Sequence, residues 1–228
     1  VSGLIKICGL STPDTLEAAI AVGADMVGLV HFPRSPRHVG GADAAALADR
    51  ARGRAQVVLL LVDPDDASLE ALLPRIRPDL LQLHGHESPQ RVAQIRQLFG
   101  LPVMKAVGIA GPQDVAELTA HAAAADRLLV DAKPPSDGAS LPGGNGLTFD
   151  WRLVAGLDPG RPMMLSGGLT AANVGAAIEL TGLCGVDVSS SVESTPGVKD
   201  IGRIAAFVAA AREAFSRREA GQTQGQAR

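Results

Sequence analysis

The chain of 228 residues contains no tyrosine, one tryptophan and five phenylalanines, so aromatic residues make up only 3% of it. Stacking on bases or sugar rings is therefore not a major theme of its binding. There are two cysteines, Cys8 and Cys184, too few for a disulfide framework. One bridge remains open, but reduced thiols in a reducing compartment are the expectation. No apolar run approaches the roughly 18 to 20 residues that a membrane span needs. Charge of one sign is lacking too: 21 Lys and Arg against 24 Asp and Glu leave a net −3, with no general attraction to nucleic acid or an anionic membrane. The N-terminal stretch does not combine a charged segment, an apolar core and a small-residue cleavage site. The expectation is a cytoplasmic protein with neither a nucleic-acid nor a membrane partner. No unusually apolar helix face stands out, which favours a monomer over a homodimer.

What is present is core-forming material: 46% hydrophobic and 20% charged residues, as in ordinary globular proteins. Short runs rich in Val, Leu and Ile occupy 4–8, 25–32, 56–62, 80–84, 102–107, 127–131, 162–165 and 186–189. They are continuous rather than alternating, the pattern of strands buried on both faces of a parallel sheet. Helical signals lie between them. In "STPDTLEAAIAVGAD" Thr12 is placed to cap, Pro13 opens the helix, Asp14 and Glu17 sit near its positive end, and Gly23 stops it. "LTAANVGAAIELTG" repeats the plan with Thr170 as expected cap and Gly182 as stop, and "GPQDVAELTAHAAAAD" is a third case. Eight such units predict an α/β fold, a single-domain (β/α)8 TIM barrel with eight parallel strands over residues 1–215. The competing open doubly wound sheet lacks a G-x-G-x-x-G after its first strand. Residues 216–228, "SRREAGQTQGQAR", form a polar tail expected to be disordered.

In such a barrel the active site lies at the C-terminal ends of the strands, and those ends are rich in chemistry. Cys8 closes the first run. Lys6, two residues earlier, shares its face, and a cation there would favour the reactive thiolate. The plainer readings are that Cys8 is an inert packing thiol and that Lys6 pairs elsewhere inside the barrel. Asp131 closes "LLVDAK", where desolvation would keep a carboxyl protonated as an acid; it could instead cap the next loop. "SGGLTAANV" sets Gly167 and Gly168 before a helix, and "DVSSSVE" adds serine hydroxyls, so the last two strand ends read as a phosphate site. The plain alternative is a simple turn. Arg34 or Arg37 of "PRSPRHV" could hold a carboxylate in bidentate fashion. Of His84 and His86, one belongs on the rim and the other on the surface, rather than both on a metal. "PPSDGASLPGGNGLTFDW" after the sixth run reads as a loop able to close over a ligand. Cys184 falls in a loop at the opposite end and reads as incidental.

Taken in order, "KICGL", "GADMVGLVHFPRSPRHV", "LLQLHG", "LLVDAKPP", "GGNGLTFDW", "LSGGLTAANV" and "GVDVSSSVES" resemble the phosphoribosylanthranilate isomerases of tryptophan biosynthesis. The resemblance spans nearly the whole chain except the C-terminal tail. "KICG" with the distant "LLVDAK" is its specific part; "SGGL" is shared by many phosphate-binding barrels. It implies an Amadori rearrangement of a phosphorylated small-molecule substrate, with Cys8 as general base and Asp131 as general acid. It further implies Arg37, Gln82, His84, Gly144 and Gly146 on the substrate, and Gly167, Gly168, Asp187, Ser189 and Ser190 around its phosphate, with no cofactor and no metal. Two positions depart from the family: Ser191 stands where glycine is frequent, and Leu147 stands where a lysine often ends the glycine loop.

Three rivals remain at this stage. A histidine-pathway aminoaldose isomerase performs the same rearrangement on the same barrel type, but its base is expected to be an aspartate, not Cys8. A metal-dependent pentose-phosphate epimerase would draw on His31, Asp63, His84 and Asp131. A non-catalytic receptor for phosphorylated ligands would bind without turnover.

Overall fold

The computed structural model describes residues 3–133 and 141–226. Eight parallel strands close into a barrel in chain order: β1 (Leu4–Cys8), β2 (Met26–Val30), β3 (Gln56–Leu61), β4 (Leu80–Leu83), β5 (Val103–Ile109), β6 (Arg127–Ala132), β7 (Met163–Leu165) and β8 (Gly185–Val188). Around them lie α1 (Pro13–Ala21), α2 (Gly41–Ala51), α3 (Asp66–Ile76), α4 (Pro89–Phe99), α5 (Pro112–Ala122), α6 (Val174–Thr181) and α7 (Ile201–Gln226). Between β6 and β7 the described chain carries only a 3₁₀ turn, Trp151–Leu153. After β8 come a second 3₁₀ turn, Ser190–Val192, and an antiparallel pair, β9 (Glu193–Thr195) and β10 (Val198–Lys199).

The continuous apolar runs now separate into two faces. Ile5, Ile7, Val27, Leu29, Val57, Leu59, Leu81 and Leu83 pack outward with the helices. Met26, Val58, Leu80, Met104, Ala106, Leu129 and Met164 fill the lower barrel interior. The period of two then carries the inward row upward: Lys6 and Cys8 on β1, Gln82 on β4, Asp131 on β6 and Asp187 on β8 share the inward parity. Polar side chains therefore occupy the upper barrel because each strand keeps one parity from an apolar bottom to a chemical top.

Helix signals translate mostly as read. Thr12 caps α1 by accepting from Thr15 N, and Gly182 ends α6 in the left-handed region at φ +67°. Thr170, however, is not the cap of α6. That helix begins at Val174, with Asn173 in the capping position. Thr170 N instead donates to Asn173 Oδ1 (2.7 Å), and Asn173 Nδ2 donates to Gly168 O, so the glycine turn runs three residues further before helix starts. Helix α7 passes beyond residue 215, where polar composition had set the end of the barrel, and its backbone stays helical to Gln226.

The lower rim shows a repeated clamp. The aspartate just before β2, β4 and β6 accepts the amide of the first or second residue of the preceding strand: Asp25 from Ile5 (2.7 Å), Asp79 from Val57 (2.7 Å) and Asp126 from Val103 (3.0 Å). Cys184 holds the equivalent place before β8, and its thiol donates to Met163 O at 3.2 Å.

Candidate active site

The strand ends open into a cleft whose walls include Cys8, Arg37, Gln82, His84, Asp131, Asp187 and Ser189. Cys8 and Asp131 thus enter one cavity from β1 and β6. Both are nearly buried, at 4% and 6% exposure, so a proton exchanged there is shielded from bulk water.

The surroundings of Cys8 explain its state. Lys6 is fully buried and pairs with Asp187 Oδ1 at 2.8 Å, the alternative raised for it from sequence. Asp187 Oδ2 accepts from Ser166 Oγ (3.4 Å). Lys6 is held above its ordinary value: burial pulls it down, but the Asp187 charge and hydrogen bond outweigh that. For Cys8 burial is the largest influence and pushes the thiol up; Lys6 pulls it down without cancelling the rise. Lys6 thus acts on Cys8 in the expected direction, toward thiolate, but burial outweighs it, and Asp187 shares the cation. Asp187 likewise directs its carboxylate to Lys6 and Ser166 rather than to a loop that would hold an anion.

Asp131 is held on both oxygens. Oδ1 accepts from Ala132 N (2.9 Å), and Oδ2 lies 3.3 Å from His84 Nε2. His84 Nδ1 in turn lies 2.9 Å from Gln82 Nε2. With the amide nitrogen donating to Nδ1, Nε2 is the imidazole nitrogen left beside Asp131. Among the described residues the buried Gln82 Oε1 has no hydrogen-bond partner, an acceptor able to take a ligand hydroxyl or N–H. Gly143 closes over the pair: a Cβ there would stand 2.6 Å from His84 Nε2 and 2.9 Å from Asp131 Oδ2.

Of the two candidate arginines, Arg34 is exposed and Arg37 is buried in the cleft wall. Arg37 makes a fork-to-fork pair with Glu193, Nε to Oε1 at 2.7 Å and Nη2 to Oε2 at 2.8 Å, and Nη2 also donates to Gly144 O at 3.2 Å. Nη1 lies toward Gly144, whose φ of +75° and missing Cβ keep the approach open. Glu193 is pushed up by burial, yet Arg37 and Lys199 hold it below its ordinary value. Lys199, also buried, bonds Glu193 Oε1 (2.7 Å), Ser189 O (2.9 Å) and Ser189 Oγ (3.1 Å), and Ser189 Oγ donates to Cys8 O (3.1 Å). Sequence reasoning missed Glu193 and Lys199. The available signal was a glutamate following the serine run of β8, with a lysine six residues on.

Gly167 and Gly168, also in the cleft wall, adopt φ +82° and +63°, and the serine turn Ser190–Val192 runs on from Ser189 to Glu193. A Cβ on Gly146 would lie 3.5 Å from Ser190 Oγ, so the glycine loop reaches the serine turn. Ser191 Oγ donates to Leu169 O, tying the two loops together. Leu147 is among the exposed apolar side chains. Residues 134–140, the first part of the loop expected to close over ligand, lie outside the described residues.

His84 lines the cleft while His86 is almost wholly exposed. The four side chains of the metal-epimerase reading do not gather: His31 Nδ1 faces Val39 O, Asp63 Oδ1 accepts from His86 N, and only His84 and Asp131 meet. Among the described residues no group of three or more His, Cys, Asp or Glu is arranged to hold a metal ion, and no helix is long and apolar enough to cross a membrane.

Comparison with known proteins adds three kinds of likeness. The family model for N-(5'-phosphoribosyl)anthranilate (PRA) isomerase matches residues 5–210. An N-(5'-phosphoribosyl)anthranilate isomerase of Azorhizobium caulinodans is 61% identical over 215 residues, covering 93% of this chain and 94% of its own. The crystal structure of phosphoribosyl anthranilate isomerase from Thermotoga maritima superposes with a TM-score of 0.83 at 30% identity, over 92% of this chain and 99% of that one. A complex of such an isomerase with reduced 1-(o-carboxyphenylamino)-1-deoxyribulose 5-phosphate matches at a TM-score of 0.80 and 28% identity, over 92% and 99% of the two chains.

Proposed function

The chain belongs to the N-(5'-phosphoribosyl)anthranilate isomerase family, and from that premise we propose that Cys8 and Asp131 are the base and acid of its reaction. The enzyme isomerises the phosphorylated aminoaldose N-(5'-phosphoribosyl)anthranilate to the corresponding 1-deoxyribulose in tryptophan biosynthesis. Asp131 gives its proton to the furanose ring oxygen as the C1'–O bond breaks, and the nitrogen lone pair forms an iminium. The Cys8 thiolate removes the proton from C2', and the C–H electrons become the C1'=C2' bond of a neutral enolamine. Loss of the C2' hydroxyl proton and protonation of C1' then give the ketone. One proton returned from thiol to carboxylate resets the pair, so no external oxidant enters.

The observation that carries this assignment is the entry of Cys8 and Asp131 into one shielded cleft from strands on different sides of the barrel. Lys6 offsets part of the cost of a buried thiolate, and the developing iminium offsets more. The His84 Nε2–H accepts the role of steadying the Asp131 carboxylate once its proton has left. Gln82 Oε1 takes a substrate hydroxyl or N–H, Arg37 the anthranilate carboxylate, and Gly144 and Gly146 the sugar. Gly167, Gly168, Ser189 and Ser190 form the phosphate cup. Asp187 belongs to it only indirectly, through Lys6 and Ser166.

On the same reading the catalytic unit covers residues 1–215 and works as a cytoplasmic monomer. Its exposed large apolar side chains include Val22 just after α1, Leu98 on α4 and Leu180 on α6, separate elements rather than one helix face.

The deciding assay follows anthranilate fluorescence during turnover of fresh phosphoribosylanthranilate after treatment with chelator. Wild type is expected to turn over fully. Cys8→Ser and Asp131→Asn are each expected to lose about 10²- to 10⁴-fold in kcat while still binding the reduced product analogue. Near-full kcat in either variant removes that residue from its role.

A further inference from the structure

We infer that Glu193 is a positioning residue for substrate recognition: it holds Arg37 so that the guanidinium presents its Nη1 edge to the substrate carboxylate. The inference rests on the assignment of Arg37 to that carboxylate. A guanidinium has two edges able to take a carboxylate in parallel. Glu193 occupies the Nε/Nη2 edge with bonds of 2.7 and 2.8 Å. Gly144 O takes the other Nη2 hydrogen, so among the described residues Nη1 is the nitrogen left for a ligand carboxylate, and its direction is set by Glu193 together with Gly144 O. The stem is fixed as well, because Arg37 Cδ packs where a Cβ on Gly9 would stand, 2.6 Å away.

Glu193 is itself immobilised. Lys199 holds Oε1 at 2.7 Å, Gly197 N donates to Oε2 at 3.2 Å, and the residue starts the β9–β10 hairpin. Gly197 abuts Pro36 O, where a side chain would collide, so the hairpin is fitted against the loop that carries Arg37. Lys199 continues to Ser189, and Ser189 to the carbonyl of Cys8. One buried carboxylate thus references the carboxylate-binding end of the cleft to the strand end that carries the base. Arg37 and Lys199 together outweigh Glu193 by one positive charge, which suits an anionic ligand.

Two effects of removing the Glu193 charge oppose each other. Two cations left with no counter-charge would draw a carboxylate more strongly, whereas a freed guanidinium loses its direction. Misplacement by about 1 Å costs on the order of 10²-fold in such sites, so orientation dominates. The test uses two ligands, reduced 1-(o-carboxyphenylamino)-1-deoxyribulose 5-phosphate and the same molecule without its carboxyl group, titrated calorimetrically into wild type and Glu193→Gln. Wild type is expected to prefer the carboxylated ligand, and Glu193→Gln to lose about 10- to 100-fold of that preference while holding the second ligand within about threefold. An unchanged preference, a stronger one, or an equal loss for both ligands overturns the inference. If wild type itself shows no preference, the Arg37 assignment fails and the inference falls with it, a result visible before any variant is made. Circular dichroism first checks folding. If Glu193→Gln does not fold, Glu193→Asp is read in the same way, its shorter arm expected to reduce the preference and an undiminished preference overturning the proposal.

Discussion

Lys6 and Asp187 are register partners across the seam where β8 meets β1, and their side chains meet at 2.8 Å inside the barrel. Neighbouring strands thus place a buried cation and anion directly under the thiol of Cys8. Lys6→Met leaves Asp187 with Ser166 as its remaining side-chain partner. Breaking one side of a buried pair costs about 3–5 kcal/mol, whereas replacing both partners by apolar groups is often close to neutral. Urea unfolding should therefore show Lys6→Met strongly destabilised and Lys6→Met/Asp187→Leu substantially recovered.

The titration of Cys8 follows from its surroundings. Burial holds the thiol above its ordinary 9.0, with Lys6 pulling the other way. The thiolate ultraviolet absorbance that Cys8→Ser removes should therefore rise with pH and level only above pH 9.0. A plateau reached at neutral pH would contradict this. The same shift acts on stability: the contribution is complete below the unfolded thiol value and is lost as pH rises through the higher folded one. Cys8→Ala should lack that alkaline loss.

Gly28 is the register partner of Cys8 on β2. A Cβ there would stand 2.9 Å from Cys8 Sγ and 3.0 Å from both Cys8 Cα and Lys6 Nζ. Because backbone as well as side-chain tips would have to move, Gly28→Ala should cost about 1–3 kcal/mol. Displacement of the base should lower kcat more than it raises KM, which steady-state kinetics will separate.

Glu193 should mark the acid limb of stability. Burial raises it, but Arg37 and Lys199 leave it below its ordinary 4.5. Its contribution is present above the unfolded value and fades as pH falls through the lower folded one. Thermal melts of wild type and Glu193→Gln should therefore differ most at neutral pH and converge as pH drops below 4.5.

Much of the barrel could be read along the chain because each strand is a short Val/Leu/Ile run and each turn is local chemistry. Cys8 and Asp131 were legible as polar residues ending apolar strands, since the position of a strand end in this architecture implies a rim. Glu193 was not, because its meaning depends on Arg37, 156 positions away, and a glutamate after a strand otherwise reads as solvated surface. The family resemblance set Asp187 among the phosphate residues, whereas strand parity turns it inward to Lys6. Thr170 was misread for a local reason: its amide is taken by the Asn173 side chain, and the helix begins only after Asn173. The lower-rim clamps did leave a signal, an aspartate directly before an apolar run, although the amide each one holds belongs to the strand before.

Those clamps divide the barrel unevenly. Aspartates bind the seams of β1 with β2, β3 with β4 and β5 with β6 by charged hydrogen bonds, while β7 and β8 have a thiol on a carbonyl, a much weaker bond. Their ladder is also brief, with Met164 opposite Gly185 and Leu165 opposite Val186. In hydrogen–deuterium exchange this quarter should be the barrel's soft joint, its strand amides opening before those of β5 and β6. The softness lies beneath the glycine and serine turns above β7 and β8, where a bound phosphate would add the fastening that the lower rim omits.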